Sequence, residues 1–174
     1  MFLTRCFKYL LPALLLAAQA SSAAAADPDK EDDARIEAAR RMISEGRAEC
    51  VVIRGGRVFS ERGRGVSPLL EFHDHREAGF LKGAIIVDKV IGRAAAAIAV
   101  AGGAKRVHGE TMSEDAKAYL EGRGVRVTYG TLVPRILNAD RSDLCPLEKS
   151  VEGLDDPEQM LTALRKRIEE LRGK

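Results

Sequence analysis

Residues 83–103 (GAIIVDKVIGRAAAAIAVAGG) constrain this chain more than any other segment. They are apolar almost throughout and end on paired glycines, so they belong in an interior. Ala94 to Ala97 with Ile98 favour a buried helix over a strand, and the reading starts it near Asp88 and stops it at Gly102-Gly103. A run of alanines lets two backbones approach closely, so the helix is expected to lie flat on a sheet.

The sheet must come from β-branched runs on either side. Residues 50–54 (CVVIR) and 57–60 (RVFS) are split by Gly55-Gly56 and read as a hairpin. Residues 105–108 (KRVH) and 125–129 (VRVTY) are further strand candidates. Between them lie helix signals. Residues 27–33 (DPDKEDD) form a polar linker that grades into a helix carrying Ala34, Ile36, Ala38, Ala39, Met42 and Ile43, stopped by Gly46. Ser67-Pro68 opens a short helix through Leu69, Leu70 and Phe72 toward Gly79. Ser113-Glu114-Asp115 caps another over residues 116–121. Residues 131–137 (TLVPRIL) read as a short helix, and Pro146 as the first position of a further one. Asp156-Pro157-Glu158 opens a final amphipathic helix with Met160, Leu161, Leu164, Ile168 and Leu171. The order is α/β in class. Its alternating later part implies right-handed crossovers and parallel pairing beside the antiparallel hairpin.

The first 26 residues stand apart. Arg5 and Lys8 precede a short apolar run, LLPALLLAA, and then small residues up to Ala26. That order is a secretory signal, cleaved after Ala26. Pro12, Gln19, Ser21 and Ser22 interrupt the stretch, which argues against a stable membrane anchor. The expected product is exported, periplasmic or secreted, with residues 34–174 forming one domain that includes the C-terminal helix. Losing Arg5 and Lys8 removes the +2 formal charge. A neutral chain whose aromatics are Phe59, Phe72, Phe80, Tyr119 and Tyr129 offers no nucleic-acid footprint. Cys50 and Cys145 remain after cleavage, and in an oxidising compartment they could form a disulfide or stay free.

Four segments keep, in order, the motifs of a known family: residues 51–71 (VVIRGGRVFSERGRGVSPLLE), 81–97 (LKGAIIVDKVIGRAAAA), 127–140 (VTYGTLVPRILNAD) and 145–151 (CPLEKSV). Over residues 34–156 the chain resembles an uncharacterised bacterial family, the domain of unknown function 1893. The resemblance implies a three-layer α/β/α sandwich with a mixed sheet, similar in fold to cytidine deaminases.

The zinc chemistry of that fold needs H-x-E or C-x-E on one helix and P-C-x-x-C on the next. The corresponding positions here are expected at Asp88-Lys89-Val90 and at Glu110-Thr111-Met112-Ser113, which carry no Cys or His. No metal or other cofactor is therefore expected, and neither is zinc-dependent deamination. The geometry left over is two helix starts facing one cleft, suited to a small polar or anionic ligand. The expected ligand-binding set is Asp88, Lys89, Glu110, Thr111, Ser113 and Asn138. Asp88 has two readings, ligand contact or helix cap. Cys145 is the one nucleophile candidate, at a helix N-terminus where a thiolate is favoured; a buried inert thiol or a half-cystine are its alternatives. His73 and His75 diverge on a helix and read as solvated. Three functions follow: a ligand-binding domain without metal, a thiol enzyme using Cys145, or a structural or interaction module of the cell envelope. The partner is an unknown small molecule, and homo-oligomerisation stays open.

Overall fold

The computed structural model describes residues 28–173, so the leader lies outside the described residues. Its elements run α1 (Pro28–Ser44), β1 (Cys50–Arg54), β2 (Arg57–Glu61), α2 (Ser67–Asp74), β3 (Ile85–Ile91), α3 (Arg93–Ala101), β4 (Arg106–Ser113), α4 (Glu114–Glu121), β5 (Arg126–Val133), α5 (Pro146–Val151) and α6 (Pro157–Arg172). The sheet order is β2-β1-β3-β4-β5. The first three strands pair antiparallel; β3, β4 and β5 pair parallel.

The expected hairpin is present, and Gly55 and Gly56 both take positive φ at its tip. The apolar centre divides differently from the expectation. Ile85, Ile86, Val87, Val90 and Ile91 crowd β-branched side chains into a central strand, β3. The helix starts only after Gly92 and keeps the alanines. Asp88 is therefore a strand residue, and its helix-cap reading is overturned. The next strand likewise absorbs Glu110, Thr111 and Met112 before Ser113 caps α4, its Oγ accepting from the Ala116 N–H at 3.2 Å. The short helix expected over residues 131–137 is instead the end of β5 followed by an irregular loop. The acidic run expected as a linker is, from Pro28 onward, the start of α1. There Asp32 pairs with Lys105 at 2.6 Å and Asp33 with Arg106 at 2.6 Å, tying the helix to the sheet.

The helices form a layer on each face. Ile36, Ala39 and Ile43 of α1 pack on Val51, Ile53, Ile85 and Val87. The opposite face carries the larger core, built by α2, α3, α4 and α6 against Val52, Ile86, Val107 and Met112. The fully buried Ala94, Ala96, Ala97 and Ala99 let α3 lie against the sheet while α6 covers its outer side. No helix among the described residues is long and apolar enough to cross a membrane.

Val107 and Met112 face the same core although five residues apart. Strict alternation would put them on opposite faces. The parallel strands therefore change phase together, along the row Lys89, Glu110 and Gly130. Small residues make the bend possible. A Cβ on Gly109 would stand 3.0 Å from Ile91 Cγ1, and one on Gly130 2.8 Å from the Glu110 carbonyl oxygen.

Candidate functional site, a cleft at the C-terminal ends of the parallel strands

Because β3, β4 and β5 are parallel, the chain leaves all three at one edge of the sheet. It leaves by Gly92 into α3, by Ser113 into α4, and by the loop after Val133 into α5. Ligand crevices of α/β sheets form at this edge. Here it holds two adjoining pockets that share Ile136 and Glu148. The smaller, about 110 Å³, is lined by Asp88, Gly63, Gly65, Val66, Cys145 and Leu147. The larger, about 460 Å³, is bounded by Arg93, Ser113, Arg135, Glu152 and Asp155.

Asp88 is only 6% exposed. Its register partner across β1 is Cys50, whose thiol favours the ionised carboxyl. Its Oδ1 accepts from the Val90 N–H at 3.0 Å. Burial penalises the charged form more than these interactions favour it, and the carboxyl is pushed up to about 7. Burial, and then Asp88 itself, push the Cys50 thiol well above the usual range.

Glu148 decides the character of the cleft. Its Oε2 accepts from the Arg93 N–H at 2.8 Å and its Oε1 from the Ala94 N–H at 3.0 Å. The first two donors of α3 thus already hold a carboxylate from α5. Gly92 makes room for it, since a Cβ there would stand 2.5 Å from the Glu148 carboxyl carbon. Burial raises the Glu148 pKa despite the two backbone bonds. The Ser113 hydroxyl is committed to capping α4. The anion expected at these helix starts finds the first two N–H groups of α3 taken and the Ser113 oxygen engaged.

The structure brings together part of the expected set. Asp88, Lys89 and Cys145 line the smaller pocket, and Ser113 the larger. The Lys89 side chain is 58% exposed and pairs with Glu49 at 3.3 Å. Glu110 belongs to the other face of the sheet. Arg40 of α1 donates to both its oxygens, at 2.7 and 3.1 Å, and this guanidinium lowers its pKa. Thr111 lines neither pocket, and Asn138 spends its side chain on Ser142 and Asp143 within its own loop. His108 also faces α1. Its Nδ1 is 2.9 Å from Thr128 Oγ1, and burial lowers its pKa. It therefore cannot serve as the base for Cys145, which is half-buried and starts a helix of six residues. Cys50 and Cys145 are both free thiols. Glu148, Arg93 and Gly92 escape sequence reasoning because the contact spans more than fifty positions; the only local signal is an acid in the first turn of α5.

The residues do not fit the zinc of the deaminase fold. The two helix starts read Gly92-Arg93-Ala94 and Ser113-Glu114-Asp115, with no Cys or His. Among the described residues no group of three or more His, Cys, Asp or Glu converges as a metal site.

The family model described as TM1506, domain of unknown function (DUF1893), matches residues 38–168. The chain belongs to this family. A crystal structure of a DUF1893 family protein (TM1506) from Thermotoga maritima superposes with a TM-score of 0.66. At 24% identity it covers 78% of this chain and 88% of that one, and supports the shared DUF1893 fold. No curated protein matches the chain.

Proposed function

We propose that this DUF1893 protein is an exported, metal-independent binding protein that takes a small polar ligand, donating hydrogen bonds or carrying positive charge, in the cleft over Asp88. The observation that carries the reading is the buried Asp88 carboxyl in the lining of the smaller pocket. A carboxyl held at about 7 costs folding free energy, and such groups cluster at functional sites. The charge around it selects the ligand. Glu49, Asp88 and Glu148 line the smaller pocket, and its one cation, Lys89, is paired with Glu49. The chain's own carboxylate occupies the donors that an anion would use. An amine, amidine or amide would instead find acceptors.

Native mass spectrometry of the purified protein tests this first, through any small molecule retained on the chain. Titration with acetamidine provides the second arm. A cation beside Asp88 favours its ionised form, so acetamidine affinity should rise as pH increases through about 7. Preferential binding of acetate or phosphate would reject the proposed ligand class.

A further inference from the structure

We infer that β5 is an interface strand, and that its partner is β5 of a second copy of this chain, paired antiparallel about a two-fold axis between Tyr129 and Gly130. The two edges of the sheet are built differently. At one edge, β2 is five residues long and carries Arg57 and Glu61 at its ends, the kind of charge that discourages further pairing. At the other, residues 127–133 of β5 (VTYGTLV) carry no charge and no proline. Tyr129 is 40% and Leu132 36% exposed. An uncharged, β-rich run along an open edge is a template for another strand.

The order of side chains identifies that strand. Read from the centre outward, Tyr129 and Gly130 are flanked by Thr128 and Thr131, and these by Val127 and Leu132. The faces obey the same symmetry. Val127 and Leu132 stand in register with Val107 and Met112, both in the larger core. Thr128 lies beside His108 on the α1 face, and Thr131 is in register with Thr111, on the side opposite Met112. In a regular strand, positions an odd number apart lie on opposite faces. The phase change at Gly130 puts them on the same face here. A two-fold antiparallel pair therefore sets Val127 against the partner's Leu132, Thr128 against the partner's Thr131, and Tyr129 over the partner's Gly130. Apolar meets apolar, threonine meets threonine, and an aromatic covers a glycine. Arg126 falls opposite the partner's Val133, so no like charges meet.

Sedimentation equilibrium of the purified protein should give a dimer, and Leu132→Lys should give a folded monomer with an unchanged circular dichroism spectrum. Register is tested separately. On a Cys145→Ser background, Thr128→Cys and Thr131→Cys proteins are mixed and oxidised. A disulfide-linked heterodimer should form in the mixture, with neither variant linking to itself. A monomeric wild type overturns the inference. So does a dimer that survives Leu132→Lys, or one that fails to cross-link at this pair.

Discussion

At the scale of the residue, Asp88 is a buried carboxyl whose ionised form burial disfavours. Its folded pKa of about 7 stands above the ordinary 3.8. Below the lower value both states are protonated and the group costs nothing. As pH rises between the two, only the unfolded chain ionises freely, so stability falls, and it levels off above about 7. Asp88→Asn should remove that slope. Its stability should match wild type near pH 4 and exceed it increasingly toward pH 7, on the order of a few kcal/mol at the upper end. Paired melting curves across this range check it, and parallel curves would contradict it. His108 titrates in the opposite sense, because its folded pKa is lowered and stability is lost as pH falls. That contribution is common to both proteins and cancels in the comparison. The sequence singles out Asp88 through the position of the missing zinc motif, and the structure places it in the lining of the smaller pocket. Its role was not legible, because a strand and a helix start could both be drawn through residues 85–91.

At the scale of the element, the site depends on one joint, where α5 docks its carboxylate on the start of α3. Glu148→Ala would leave the Arg93 and Ala94 N–H groups without their acceptor. It should destabilise by about 1–3 kcal/mol, comparable to losing a cap plus a buried hydrogen bond. Gly92→Ala should be at least as damaging, because its Cβ collides with the same carboxyl. Chemical denaturation measures both, and a cost within error of zero would remove the joint from the account. Elements with local signals were readable from sequence. The Gly55-Gly56 hairpin, the Ser113 cap, Pro146 at the start of α5 and the Asp156 cap, which accepts from the Gln159 N–H at 2.9 Å, all fall where local chemistry puts them. The apolar centre was misdivided because a strand buried on both faces over Ile85 to Asp88 lacks the polar alternation that marks an edge strand, so Ile85 to Ile91 merges with the helix behind it. Missing that strand put the start of α3 near Asp88 instead of after Gly92. Glu110, expected in the same cleft, lies in β4 and pairs with Arg40 on the opposite face of the sheet.

At the scale of the whole molecule, the parallel half of the sheet gathers three chain exits into one crevice, and the antiparallel half supplies Cys50 beneath it. The leader adds a place to the proposed function: fractionation with N-terminal sequencing should find the chain outside the cytoplasm beginning at Asp27, and a cytoplasmic protein retaining Met1 would contradict export. The central claim is that the ligand sits on Asp88. Its most direct test is a ligand-dependent melting comparison of wild type, Asp88→Asn and Glu110→Gln with acetamidine. Glu110 pairs with Arg40 across the opposite face, so Glu110→Gln should lower stability by about 1 kcal/mol or less and leave the ligand-induced shift intact. Asp88→Asn should fold, melt higher at neutral pH and lose the shift. An Asp88→Asn protein that responds to acetamidine as wild type does would contradict the account.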